Sequence, residues 1–306
     1  MAKKISVIIP NYNGKHLLAK NLPSVIKNCK SCEIIVVDDA SADDSVDYIA
    51  KNFKQIKIVR LDTNKGFAAA INSGVKVASG NLIVLLNSDV SPRESFLKAA
   101  LKYFKDPTTF AVGFADLSHE GGRIVIRGRG GASFNKGFVT HSKLQSVSGE
   151  TFWVSGGAGI FDKKKFLDLG GFDTVFAPFY WEDIDLAFRA WQVGYRCVFE
   201  PKSKVDHFHE EGAIKKSKSS FFIKTVSYRN QLLFVWKNIT DPIFLIQHVL
   251  WLPYHFTQAL MSLDVAFFAG FIWAIVQIPK LIFNYSLFTI HYSLSDREVL
   301  GRFEKS

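Results

Sequence analysis

Apolar residues come in short blocks along the first hundred positions, and polar residues collect between them. Residues 5–9 form a β-branched run that stops at Pro10, and residues 33–37, 56–61 and 82–86 repeat the pattern. Between these blocks the apolar spacing becomes helical, over residues 15–28, 41–53 and 66–78. The second of these predicted helices opens on Asp43 and Asp44, which suits the positive end of a helix dipole. The strand blocks are nearly continuous in apolar character, so they predict a parallel sheet covered by helices on both faces. Ligands of such sheets bind beyond the carboxyl ends of the strands. Polar clusters stand at those ends: Asn11-Tyr12-Asn13-Gly14, Asp38-Asp39 and Asn87-Ser88-Asp89.

The pattern then changes. Residues 118–149 are rich in Gly and carry Arg123, Arg127, Arg129, Lys136 and Lys143, with no acid between Glu120 and Glu150. They read as a hairpin or long loop, either a solvated basic segment or a hand on an anionic acceptor. Order returns with Trp153, the small-residue run 155–159, a helix over 163–169, and Trp181-Glu182-Asp183-Ile184-Asp185 opening a helix to Val193. Arg189 stands four residues after Asp185, as an ion pair on one helix face requires.

The last quarter is different again. Between Asp241 and Asp296 the only formal charges are Asp264 and Lys280. Residues 242–263 are long enough on paper for a membrane span, but Gln247, His248, Pro253, His255 and Gln258 make it a poor one. Residues 265–279 are too short. Trp251, Tyr254, Trp273, Tyr285 and Tyr292 are scattered as in segments lying at a membrane interface, and Lys215, Lys216, Lys218 and Lys224 just upstream suit anionic lipid. In-plane membrane helices are therefore expected. A buried oligomer interface and a re-entrant or spanning segment are the alternatives.

Composition narrows the classes. A chain of 306 residues with 48% hydrophobic and 22% charged residues can bury a large core, which excludes disorder as the main state. The net charge of +10 favours an anionic partner such as a nucleotide or membrane surface, and no nucleic-acid module is visible. Three cysteines exclude a disulfide-stapled domain. Cys29 and Cys32 form a C-x-x-C, but it precedes a strand rather than opening a helix, and zinc would need two more ligands. The opening apolar run is too short for a signal peptide, so the cytoplasmic face is expected.

The strand ends carry the candidate chemistry. A carboxylate at Asp38-Asp39 can accept hydrogen bonds from a base edge or ribose hydroxyl. Asn64-Lys65-Gly66 opens a helix whose free N–H groups suit phosphate or sugar hydroxyls. Asn87-Ser88-Asp89 offers oxygens to a hard cation such as Mg²⁺ or Mn²⁺, held mainly through substrate phosphates. Glu182-Asp183 supplies a candidate base.

In this order the chain resembles the inverting glycosyltransferases of family 2, with the GT-A fold. The resemblance rests on SVIIPNYNG (6–14), EIIVVDDAS (33–41), NKGF (64–67), LLNSD (85–89), SGGA (155–158) and WEDID (181–185). The closing SDREVL (295–300) is similar to the end of rhamnosyltransferase-like members. The resemblance implies a Rossmann-like nucleotide-diphospho-sugar transferase domain over 1–237 and a hydrophobic, amphipathic helical region over 238–306. It implies that Pro10, Asn11 and Tyr12 line the nucleotide pocket, that Asp39 holds base or ribose, and that Asn64, Lys65, Asn87 and Ser88 lie on the nucleotide side. Asp89 would be the metal-binding end of the D-x-D motif, whose first position is here Asn87, leaving one fewer negative charge. Trp153, Gly156, Gly157, Trp181 and Glu182 would shape the donor-sugar and acceptor side, with Asp183 as catalytic base. His207 is preferred over His209 as a late metal-site histidine. The implied cofactor is Mg²⁺ or Mn²⁺. The implied partners are a nucleoside-diphosphate sugar, a lipid-linked or glycan acceptor, a membrane surface and a homo-oligomeric copy. A sugar nucleotidyltransferase would show a Gly-rich, basic phosphate loop after the first strand, where Pro-Asn-Tyr-Asn-Gly stands instead. A scaffold without turnover is disfavoured by the intact Asp39, Asp89 and Asp183.

Overall fold

The computed structural model describes residues 4–208, 219–285 and 293–304, with the backbone alone for 282–285. His209, Lys215, Lys216, Lys218 and Tyr292 lie outside the described residues.

The strands are β1 (Ile5–Asn11), β2 (Glu33–Asp38), β3 (Lys57–Arg60) and β4 (Leu82–Leu86), separated by α1 (Lys15–Asn28), α2 (Ser45–Asn52) and α3 (Phe67–Val77). β1 pairs in parallel with β2 and with β4, and β2 pairs in parallel with β3. Each apolar block serves two cores by its period of two. Val7, Ile9, Ile34, Val36, Leu82, Val84 and Leu86 face α1 on one side. Ile8, Ile35, Val37, Ile83 and Leu85 face α3 on the other. Burying such a side chain is worth ~1.5–3 kcal/mol, which no solvent-facing register would recover. Gly74 lets α3 approach this face: a Cβ there would strike Ile8 and Val37.

The sheet continues through β5 (Val90–Pro92), α4 (Phe96–Leu101), β6 (Thr109–Glu120), β11 (Ala158–Asp162), α5 (Lys163–Asp168), α6 (Glu182–Gln192) and β12 (Arg196–His207). With β7 (Arg123–Arg127) and β10 (Gly149–Glu150), the strand order is β10-β12-β6-β11-β4-β1-β2-β3, with β5 on β12 and β7 on β6. The order reverses beside β1, so a crevice opens at the carboxyl ends of β1, β2 and β4. The basic stretch 118–149 is more ordered than a loop. β7 (Arg123–Arg127) folds back on β6, and β8 (Gly130–Asn135) pairs with β9 (Phe138–Lys143). β10 (Gly149–Glu150) then pairs with β12. Two of its arginines are engaged within the fold: Arg127 with Glu120 at 3.0 Å, and Arg129 Nε with the Glu150 carbonyl at 3.0 Å.

α7 (Ser220–Asn238), α8 (Pro242–Met261), α9 (Val265–Tyr285) and α10 (Asp296–Gly301) follow. α7 is latched to α6 by Asp185, which is fully buried and accepts from Arg189 and Lys237 at 2.6 Å and from Asn238 at 2.9 Å. The closing SDREVL is a brace. Ser295 and Glu298 form a capping box, and buried Asp296 accepts from the N–H groups of Thr240 and Asp241 and from Gln192 Nε2. α8 and α9 leave large apolar side chains exposed, Leu250 and Val276 among them. Among the described residues no helix is long and apolar enough to cross a membrane.

Candidate functional site

The crevice is built in three linked parts. At the β1–β2 end, buried Asn11 donates from Nδ2 to Asp38 Oδ1 at 2.9 Å and to Ser41 Oγ at 3.2 Å. Its Oδ1 has no partner among the described residues and presses on Gly14, where a Cβ would collide with it. Pro10 precedes it on β1, and Tyr12 beyond the strand is 42% exposed. Asp39 is buried. Its two oxygens accept from the backbone N–H groups of Lys65 and Gly66, at 2.7 and 2.8 Å. Burial lifts its carboxyl above the ordinary range, against the pull of those two bonds. Asp39 thus clamps the loop that opens α3, and what it offers a ligand is its remaining lone pairs. The Asn64 and Lys65 side chains are exposed beside it.

The second part lies at the end of β4. Asp89 is buried, and its Oδ1 is 3.2 Å from His207 Nε2. His207 Nδ1 is 2.7 Å from Asp116 Oδ2 on β6. Burial lowers the His207 pKa, but the two carboxylates outweigh it and raise it to about 9. Asp116 orients the ring so that Nε2 faces Asp89, the arrangement that supports metal-bound histidines. One carboxylate and one imidazole, with oxygens from a diphosphate, form a suitable donor set for Mg²⁺ or Mn²⁺. Among the described residues no three His, Cys, Asp or Glu side chains could hold an ion by themselves. Asp116 was not anticipated from sequence. Its signal was one acid inside the otherwise apolar run FAVGFADL.

The third part is Asp183, in the first turn of α6. Its Oδ2 accepts from Gly156 N–H at 3.3 Å and its Oδ1 from Ile184 N–H at 2.8 Å. Burial raises its carboxyl to about 6, against those bonds. The adjacent Gly157 carbonyl accepts from Asn87 N–H at 3.0 Å, and the Asn87 side chain lies against the Gly157 backbone. One Gly-Gly dipeptide therefore ties Asp183 to the end of β4. Ser88 is held there too, through its carbonyl to Asn21 Nδ2 at 3.0 Å. The β3–α3 loop also reaches this part, since Phe67 N–H donates to the Pro178 carbonyl at 3.3 Å.

Tyr180 and Trp181 enter α6 with φ of 71° and 76°, a left-handed conformation that costs energy for bulky residues. Fully buried Asn230 of α7 holds this turn, its Nδ2 lying 2.8, 3.0 and 2.9 Å from the carbonyls of Phe176, Phe179 and Tyr180. Trp153 and Trp181 both flank His141 of β9, at 5.3 and 6.1 Å between ring centroids. Neither Asn230 nor His141 carries a local sequence signal. Glu182 is buried, and its Oε2 has no partner among the described residues. Burial and the neighbouring Asp183 raise its carboxyl well above the usual range.

The fold is thus an α/β sheet whose reversal opens a crevice lined by carboxylates and joined to a raised carboxyl. A profile for Glycosyl transferase family 2 matches residues 6–169, from β1 through α5. The chain belongs to that family; Asp183 and His207 lie beyond the matched stretch. The Pre-mycofactocin glycosyltransferase of Mycobacterium tuberculosis is 29% identical over 217 residues, 68% of this chain and 43% of that protein. The chain thus spans less than half the length of that relative. The O-antigen chain rhamnosyltransferase of Salmonella typhimurium is 26% identical over 215 residues, 67% of each chain. Two solved structures share the fold. GalNAc-T7 with UDP, GalNAc and Mn²⁺ has a TM-score of 0.63 at 19% identity, covering 78% of this chain and 48% of that one. The mannosyltransferase PcManGT of Pyrobaculum calidifontis with GDP-Man and Mn²⁺ has a TM-score of 0.56 at 18% identity, covering 94% and 87%.

Proposed function

We propose that the chain is an inverting glycosyltransferase that moves a hexose or deoxyhexose such as rhamnose from a nucleoside-diphosphate donor to a lipid-linked or polysaccharide acceptor. The observation that carries this reading is the Gly156-Gly157 bridge, which joins a half-buried carboxyl to the Asn87–Asp89 strand end. Asn11 and the remaining lone pairs of Asp39 bind and orient the nucleotide, with Asn64 and Lys65 exposed beside them. Asp89 and His207 would hold Mg²⁺ or Mn²⁺, which supplies charge stabilisation for the leaving diphosphate. Asp183 takes the proton from the acceptor hydroxyl as its oxygen attacks the anomeric carbon. The carbon–diphosphate bond breaks as the new bond forms, so the anomeric centre inverts through an oxocarbenium-like state. Trp153, Trp181 and His141 form an aromatic wall for the sugars.

The exposed apolar faces of α8 and α9, with Lys136 and Lys280 near them, support a place on the cytoplasmic membrane surface. The test of the donor reading is a thermal-shift panel of UDP, GDP, dTDP and CMP sugars with and without Mn²⁺ or Mg²⁺. A cation-dependent rise with one nucleotide is expected. No shift with any donor, in folded protein, would overturn the reading in favour of a scaffold.

A further inference from the structure

A cavity of about 580 Å³ opens between residues 174–177 and α9, lined by none of the crevice residues described above. Arg229 of α7 lies in its wall and is 2% exposed. Its guanidinium donates to Asn230 Oδ1 at 2.8 Å, to the Phe176 carbonyl at 3.2 Å and to the Ala177 carbonyl, and it stacks 4.0 Å over the Trp273 ring. Every one of these partners is neutral. Burial lowers its pKa to about 10, so it remains a cation at pH 7. Among the described residues no carboxylate pairs with it and none lines the cavity. An uncompensated buried charge is costly, and Nη1, which makes none of these bonds, keeps two N–H donors suited to phosphate oxygens.

The opposite wall extends this chemistry. Trp273, Gln277 and Lys280 follow at i, i+4 and i+7, so α9 presents one face to the cavity. Gln277 adds an amide donor, and Lys280 adds a second cation. The adjoining stripe of α9 is apolar and open to solvent: Ile272 is 64% exposed and Val276 65%. An anionic cavity occupant with an apolar extension is what these two neighbouring surfaces fit. The position also suits an acceptor. Ala177 is on the cavity wall and Asp183 follows six residues later, a stretch that spans at most about 20 Å even fully extended.

We propose that this cavity is the headgroup subsite for a lipid-linked acceptor. Arg229 and Lys280 bind its phosphate or diphosphate, and the Ile272–Val276 stripe takes the start of its hydrocarbon chain. The assignment rests on the transferase reading and deepens it by naming the acceptor class. It is tested on the full chain by calorimetry in EDTA, where diphosphate binding at Asp89 has no cation to support it. Farnesyl diphosphate should bind, and inorganic diphosphate and farnesol should each bind at least tenfold more weakly. Lys280→Glu should weaken farnesyl diphosphate tenfold or more, and Lys280→Arg should restore it. Arg229→Gln should also lose binding. Because Arg229 holds the 176–177 turn, the exposed Lys280 pair decides the matter if that protein melts early. Unchanged affinity in Lys280→Glu would overturn the subsite. Inorganic diphosphate binding as tightly as farnesyl diphosphate would overturn the lipid assignment, and farnesol doing so would overturn the anionic one. A wild-type chain that binds no nucleotide sugar, yet holds farnesyl diphosphate through Lys280, would sink the transferase reading and leave the subsite standing.

Discussion

Asp183 can be tested on two opposed axes. Its carboxyl is raised from 3.8 to about 6, chiefly by burial. A base acts only when ionised, so transfer should fall about tenfold per pH unit below 6 and level off above about 7. The same shift acts on stability with the opposite sense. A carboxyl that holds its proton more tightly folded than unfolded stabilises the fold at low pH, and that contribution is lost as pH rises through about 6. Raising it from 3.8 to about 6 corresponds to about 3 kcal/mol, an upper bound for a half-buried group. Asp183→Asn removes this cost but gives up one of the two accepted N–H bonds, worth ~1 kcal/mol. The net gain at pH 8 should be about 1–2 kcal/mol, a rise of roughly 2–6 °C in melting temperature, and it should vanish near pH 4. Transfer, read as nucleoside diphosphate released with acceptor present, should drop by ~10²–10⁴ while donor binding is kept. Turnover within a few-fold of wild type would remove Asp183 from its role. A melting gain equal at pH 4 and pH 8 would refute burial as the origin of the shift.

Other sites carry their own expectations. Asp185→Ala leaves Arg189 and Lys237 without their shared buried partner and should cost ~3–5 kcal/mol in urea unfolding; a loss under 1 kcal/mol would count against the latch between α6 and α7. Gly157→Ala drives a methyl into the Asn87 side chain, so kcat/KM should fall tenfold or more while the melting temperature stays close to wild type. Removing divalent cations with EDTA should weaken nucleotide-sugar binding at least tenfold, with recovery on adding Mn²⁺, and Asp89→Ala should abolish that cation dependence; calorimetry giving equal affinities in EDTA and Mn²⁺ would contradict a shared cation.

The crevice was legible in outline because its parts sit where apolar runs stop. Pro10, Asp38 and Leu86 each mark a strand end, and the polar residues beyond them had to lie on one edge of a parallel sheet. How those residues are used was less legible. Asp39 reads as a free carboxylate but spends two acceptor sites on the loop at Lys65 and Gly66. Glu182 and Asp183 are neighbours in sequence, yet one buries an Oε2 with no partner among the described residues and the other is held at the Gly156 N–H. SDREVL resembles a family ending, and the fold shows it bracing the corner where α6, α7 and α8 meet.

Alternation and helical spacing are local properties, so the chain itself determined its strands, its helices and the face each apolar residue takes. The partnerships of charge are not local. His207 meets Asp116 across 91 residues, Asn230 reaches Tyr180 across 50, and Arg229 faces a cavity whose other wall is a helix more than forty residues on. Such pairs form only after packing has brought distant elements together and excluded water. Desolvation then raises or lowers each pKa, and which opposite charge stands nearby decides the sign. For that reason the tertiary structure alone decided that the Asp183 carboxyl is raised to about 6, that His207 is held between two carboxylates, and that Arg229 is a buried cation without a counter-charge among the described residues.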